Sequence, residues 1–210
     1  MLRLSILAML AVACERPVSV PARWGRPALV FLGDSLTEGQ GVRRAEAYPA
    51  LLERRMKAAG LDLPVVNAGI AGDTTDGGLA RLERIAASPI AVLFVALGVN
   101  DAWRYRPPDE IRNNLARIIE RGRAAGARVV LAGMKLPLSF PNDYRRSFEA
   151  IYPELARRHG TLLVPFLLEG VGDNPALTQG DGLHPNAEGY LRVADVVWPV
   201  LEPVLRSVAR

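Results

Sequence analysis

Apolar runs alternate with amphipathic stretches along most of the chain. Ile90 to Leu97, "IAVLFVAL", is apolar at every position and predicts a strand buried on both faces, as in the middle of a parallel sheet. Pro27–Gly33, Leu63–Ala68, Ala127–Gly133 and Thr161–Phe166 predict four further strands. The stretches between them carry helical periodicity. Asp76 to Ala87 sets Leu79, Leu82, Ile85 and Ala86 on one face. Tyr48 to Ala59 has Pro49 in its first turn and Gly60 at its end. Asp109 to Ala125 opens on an acidic turn and stops before Gly126, where both features complement a helix. Asp143–Arg158 predicts a further helix. The last runs from Asn186 to the C-terminus, with a bend expected near Pro199 and Pro203.

Strands that alternate with helices imply β-α-β units, right-handed crossovers and a parallel sheet covered on both faces. The expected class is α/β: a flavodoxin-like three-layer α/β/α sandwich around five parallel strands. Ligands of such sheets bind beyond the carboxyl ends of the strands. Three polar loops should meet there. Asp34-Ser35 follows strand one, Gly69 to Thr75 follows strand two, and Gly98-Val99-Asn100-Asp101 follows strand three.

The stretch "ALVFLGDSLTEGQG" delivers Ser35 onto that rim. It is not a G-x-S-x-G elbow, since the fifth residue is Thr37, nor a phosphate loop, since no lysine follows the glycines. Gly39-Gln40-Gly41 fails as a dinucleotide fingerprint at Arg44. A serine hydroxyl needs a base to become a nucleophile. The chain has two histidines. His159 sits at a predicted helix C-terminus and reads as structural. His184, in "GDGLHPN", follows strand five on the same rim. Asp181, three residues before it, can reach the imidazole Nδ1–H across a tight turn and hold the tautomer that leaves Nε2 to face Ser35. Acyl transfer also needs donors aimed at the oxyanion. The Gly72 backbone N–H and the Asn100 side-chain amide are candidates.

Length and charge narrow the remaining classes. The 210 residues suit one domain with a sizeable core. The net charge of +4 is carried by scattered arginines, and 6% aromatics is sparse for a nucleic-acid surface, so no nucleic-acid partner is expected. The N-terminal "MLRLSILAMLAVAC" has Arg3, an apolar stretch too short to span a bilayer, and a small-x-small site at Ala11-Val12-Ala13. It reads as a signal peptide over 1–13, followed by an extension over 14–26 and a catalytic domain over 27–210. Export to the periplasm or medium is expected. Cys14, the single cysteine, is a candidate for lipidation and membrane anchoring, with Ala11 where lipoprotein signals usually carry leucine.

Four motifs in order carry a resemblance. Gly33-Asp34-Ser35-Leu36, Asn67-Ala68-Gly69-Ile70-Ala71-Gly72, Gly98-Val99-Asn100-Asp101 and Asp181-Gly182-Leu183-His184-Pro185 resemble the motifs of SGNH (GDSL) hydrolases. "AGDTTDGGLARL", "GMKLP", "VPFLLEGV" and "QGDGLHPNAEGY" resemble the bacterial arylesterase and multifunctional thioesterase/lysophospholipase subgroup. Val99 stands where that subgroup usually has a second glycine. The resemblance implies a serine esterase acting on acyl or aryl esters and thioesters. Ser35 would be the nucleophile, His184 the base and Asp181 its orienting acid. The oxyanion hole would be the Ser35 and Gly72 N–H groups with the Asn100 amide. No metal or cofactor is implied. Asp34 and Asp101 are expected to support the loops. Ile70, Met134, Leu136, Pro137 and Leu183 are candidate substrate contacts, apolar enough to favour short-to-medium acyl groups. The alternatives are a carbohydrate O-acetyl esterase and a non-catalytic glycan- or lipid-binding domain.

Overall fold

Five parallel strands line up in the order β2-β1-β3-β4-β5. They are β1 (Ala28–Gly33), β2 (Val65–Gly69), β3 (Ile90–Ala96), β4 (Arg128–Ala132) and β5 (Leu162–Val164). The structure is a computed structural model that describes residues 23–209. The expected signal peptide over 1–13 and Cys14 lie outside the described residues, as does most of the expected 14–26 extension. The predicted long helices are present as α2 (Tyr48–Ala58), α3 (Thr75–Ile85), α5 (Pro108–Ala124), α6 (Asn142–His159) and α7 (Ala187–Val208). Two short helices, α1 (Ser35–Glu38) and α4 (Val99–Trp103), and a 3-10 turn (Arg44–Glu46) fall in segments too brief to show a period in sequence. The carboxyl-terminal helix runs unbroken through Pro199 and Pro203, and α6 likewise contains Pro153.

The crossovers place the helices. From β1 the chain moves through α2 to one neighbour, and from β3 it moves through α5 the other way. Right-handed connections in opposite directions put their helices on opposite faces. Accordingly α2 packs with α7, while α3, α5 and α6 pack in succession on the other face. The point where the direction reverses lies between β1 and β3, and a crevice opens there beyond their carboxyl ends. Ser35 follows β1 and Asn100 follows β3, so the fold brings both to that crevice.

The core reaches up to this crevice. β1 is buried at every position. Phe31 packs edge-on against Tyr48 with ring centroids 5.4 Å apart, and the Tyr48 hydroxyl lies 2.8 Å from Thr37 Oγ1 in α1. Gly69, the last residue of β2, lets α1 approach closely: a Cβ there would stand 2.2 Å from the Glu38 backbone nitrogen. The turn that bears Ser35 is therefore clamped from beneath by an aromatic core and from the side by a neighbouring strand.

Candidate active site

Ser35 is the first residue of α1. Asp34 caps that helix, with Oδ1 accepting from the Leu36 N–H at 3.0 Å. The capping bond turns the chain sharply at the strand end and aims the serine hydroxyl outward. His184 Nε2 stands 2.9 Å from Ser35 Oγ, although 149 residues separate them in sequence. His184 Nδ1 stands 2.6 Å from Asp181 Oδ2. The other carboxylate oxygen of Asp181 accepts from the Leu183 and His184 N–H groups at 2.9 and 3.0 Å. Burial raises the Asp181 pKa, but those two backbone bonds and the imidazole outweigh it and hold the group down at about 2. Asp181 is thus an anion throughout the range in which an imidazole works.

Gln179 is a participant that the sequence does not advertise. Its Nε2 donates to the Gln40 carbonyl at 2.7 Å and the Pro185 carbonyl at 2.9 Å. Its backbone N–H donates to the His184 carbonyl at 2.8 Å. One side chain thereby ties the histidine loop to the serine loop. A long-range amide contact of this kind has no local pattern that sequence reasoning could detect.

The expected oxyanion donors sit on adjoining loops. Asn100 Nδ2 donates to the Asp73 carbonyl at 3.0 Å and to Asp34 Oδ2 at 3.3 Å. Gly72 has φ +74°, a conformation glycine adopts without steric cost. Its carbonyl accepts from Arg104 Nη2 at 3.1 Å. Among the described residues, neither the Ser35 N–H nor the Gly72 N–H has an acceptor.

Below these loops lies a network of buried acids. Asp101 accepts from the Thr75 N–H at 2.9 Å and the Thr75 hydroxyl at 2.8 Å, joining α4 to the start of α3. Burial raises its pKa despite those bonds. The fully buried Asp34 is pushed up to about 7, chiefly by desolvation; the Leu36 bond opposes the rise and the nearby Asp73 and Asp101 charges add to it. Arg81, also buried, donates Nε to Asp73 Oδ2 at 2.7 Å, Nη1 to the Ala68 carbonyl at 2.5 Å and Nη2 to the Gly33 carbonyl at 2.9 Å. It binds the carboxyl ends of β1 and β2 to the Gly72 loop. Its spacing in "GGLARLERI" looks like that of an ordinary solvated arginine, so only the fold reveals it.

A cavity of about 570 Å³ opens beside Ser35 and His184. Leu36, Val99, Trp103, Leu136, Pro137, Phe166 and Leu183 supply apolar wall. Lys135, Arg145, Arg146 and Glu149 supply charge. Three of the five expected contacts, Leu136, Pro137 and Leu183, line it. Ile70 and Met134 do not. Met134, two residues past the end of β4, is 3% exposed and packs in the core. Ile70 is exposed but follows β2, the strand at the opposite edge of the sheet; the cavity is walled by loops after β1, β3, β4 and β5. Among the described residues, no group of three or more His, Cys, Asp or Glu side chains is arranged to hold a metal ion.

Comparison with known proteins agrees with this geometry. Residues 31–192 match the GDSL-like Lipase/Acylhydrolase family. The chain is 38% identical over 199 residues to the Esterase TesA of Pseudomonas aeruginosa, covering 94% of this chain and 99% of that protein. It is 37% identical over 179 residues to the Thioesterase 1/protease 1/lysophospholipase L1 of Escherichia coli K12, covering 84% of each. A crystal structure of TesA superposes with a TM-score of 0.82 at 39% identity, covering 84% of this chain and 99% of that one. The psychrotrophic esterase EstA from Pseudoalteromonas, in a structure inhibited by monoethylphosphonate, gives 0.81 at 25% identity over 86% of this chain and 100% of that one.

Proposed function

We propose, from the premise that this chain belongs to the GDSL-like Lipase/Acylhydrolase family, that it is a serine esterase cleaving carboxylic ester and thioester bonds of acyl and aryl substrates. The observation that carries the assignment of roles is the chain of contacts from Ser35 Oγ to His184 Nε2 at 2.9 Å and from His184 Nδ1 to Asp181 Oδ2 at 2.6 Å. Its parts fit the nucleophile, base and orienting acid of acyl transfer.

Ser35 Oγ attacks the carbonyl carbon while its proton passes to His184 Nε2. The carbonyl electron pair moves onto oxygen. The free N–H groups of Ser35 and Gly72 receive that oxyanion, together with the Asn100 amide once its longer bond to Asp34 is redirected. Asp181 stabilises the imidazolium. Collapse of the adduct breaks the C–O or C–S bond, and the His184 proton leaves with the alcohol or thiol. Water, deprotonated by His184, then attacks the acyl-serine and returns the free hydroxyl. Every proton in this sequence has a donor and an acceptor among Ser35, His184, water and the substrate.

The apolar part of the cavity wall suits a hydrocarbon chain, and its volume falls in the usual range of small-molecule sites, roughly 300–1,000 Å³. The expected preference is for short-to-medium acyl groups. A fluorophosphonate should label Ser35 stoichiometrically, and p-nitrophenyl esters should be cleaved faster as the acyl chain lengthens from acetyl. Activity confined to acetyl esters would favour the carbohydrate O-acetyl esterase reading. Absence of labelling would favour a non-catalytic binding domain.

Export belongs to the same reading. The leader, with its small-x-small site before Cys14, supports a periplasmic or secreted enzyme, with lipidation of Cys14 as the anchored form. Mass spectrometry of the protein recovered from cells should give a chain beginning at Cys14, with or without acyl mass.

A further inference from the structure

Seven large hydrophobic side chains are exposed among the described residues, and four of them lie at or beside the cavity mouth on the carboxyl rim: Trp103, at the end of α4, with Tyr105, Leu138 and Leu183. Single exposed apolar residues mean little, but a group gathered around one opening marks an interaction surface. Trp103, Leu138 and Leu183 border the cavity mouth. Trp103 and Tyr105 continue from it as a ridge, packed on the buried Phe140 with centroids 4.9 and 5.4 Å away. Leu138, two residues before Phe140, is 83% exposed.

The ridge is rigid and held outward. Tyr105 has φ +51°, a conformation that costs a bulky residue energy. Its N–H donates to the Ala102 carbonyl at 2.8 Å, and its ring, 61% exposed, leans on Tyr144. The Tyr144 hydroxyl donates to the Arg106 carbonyl at 2.6 Å. Local strain is thus spent on showing an aromatic ring to solvent beside the cavity.

Positive charge predominates on this ridge. Residues 103–106 read Trp-Arg-Tyr-Arg, and residues 138–146 add Arg145 and Arg146 against a single carboxylate, Asp143. Arg106 pairs with Asp76 and Arg146 with Asp143. Among the described residues, the hydrogen bonds of the Arg104 and Arg145 guanidinium groups go to uncharged acceptors, the Gly72 carbonyl and Asn142 Oδ1. Glu149 and Asp173 are the acidic residues among those lining the cavity. Amphipathic aromatics beside arginines suit the boundary between anionic headgroups and acyl chains.

We infer that the ridge Trp103–Arg106 with Leu138 and Arg145 is a docking surface for an aggregated anionic acyl lipid, which it seats at the mouth of the cavity. The inference rests on the esterase reading only for what happens after docking. Trp103, Tyr105 and Leu138 enter the acyl region, and the arginines meet phosphate. An ester leaving the lipid layer would then enter the cavity without crossing water.

The test uses the full chain carrying Ser35→Ala, so that binding is read without turnover and independently of the esterase assignment. Co-sedimentation with phosphatidylglycerol vesicles should exceed that with phosphatidylcholine vesicles about tenfold or more and weaken with added salt. Tyr105→Asn, which suits the positive φ, and separately Leu138→Ser should each lower binding several-fold in otherwise folded protein. Vesicles should blue-shift the fluorescence, and Trp103→Phe should abolish the shift, since Trp24 and Trp198 lie elsewhere. In the chain with Ser35 intact, Tyr105→Asn should leave hydrolysis of a soluble p-nitrophenyl ester unchanged. Equal binding to both vesicle types, or full binding by both ridge variants, overturns the proposal. So does a concentration-dependent dimer that Tyr105→Asn dissolves, because the ridge would then be covered by a second copy.

Discussion

His184 and Asp181 are three residues apart and share two contacts, the 2.6 Å bond from Nδ1 to Oδ2 and the His184 N–H bond to Oδ1 at 3.0 Å; the Leu183 N–H fastens the same Oδ1 at 2.9 Å. The orienting acid and the base are thus built into one turn. Asp181→Asn should leave that turn folded and lower kcat by about 10²–10⁴-fold with KM little changed, because the amide cannot stabilise the imidazolium as the carboxylate does. A folded-state pKa of about 2, below the unfolded 3.8, contributes stability that is present above the unfolded value and lost as pH falls toward 2. The stability advantage of the unaltered chain over the variant should be constant above about pH 4 and fade below it. Thermal melts across pH 2–7 measure this.

Asp34 has the opposite sign. Its pKa of about 7 lies above 3.8, so the native state is fully favoured below about pH 4 and loses stability as pH rises through 7. Asn caps a helix as well as Asp does. Asp34→Asn should therefore gain stability relative to the unaltered chain between pH 5 and 8, by at most about 4 kcal/mol. Paired melts at those two pH values check it; a difference that does not move with pH contradicts it.

Asn100→Ala should lower kcat by about 10²–10³-fold with a smaller effect on KM, since the amide acts on charge that develops in the transition state. Steady-state kinetics on one soluble ester separate the two parameters.

Arg81→Leu should destabilise the fold by about 3–5 kcal/mol, because it strands the largely buried Asp73 carboxylate and two strand-end carbonyls at once. Denaturant unfolding measures the loss. An effect under about 1 kcal/mol would mean that water replaces the guanidinium.

Gly69→Ala should displace α1, since the new Cβ would collide with the Glu38 backbone rather than with a side chain that can turn aside. The expected result is a loss of about 1–3 kcal/mol together with a fall in kcat, read by melting and kinetics on the same sample.

What the sequence determined by itself was local or periodic. The fully apolar β3 declares itself as a central strand, and the alternation of strands and helices dictates parallel pairing with three layers. Ser35, Asn100 and His184 follow strands, so the carboxyl-end rule alone assigns them one rim, and Asp181 lies within a single turn of His184. What tertiary structure decided depends on contacts between distant segments. The 2.9 Å approach of His184 to Ser35 needs Gln179 to draw two loops together. Arg81 became a buried tie only when β1 and β2 ended side by side. Met134 went to the core and Ile70 to the far edge because the path of each loop and the strand order, not apolar character, choose which side chains face a cavity. Apolar character drives burial without direction, whereas a site needs directions, and those come from the packing of the whole chain.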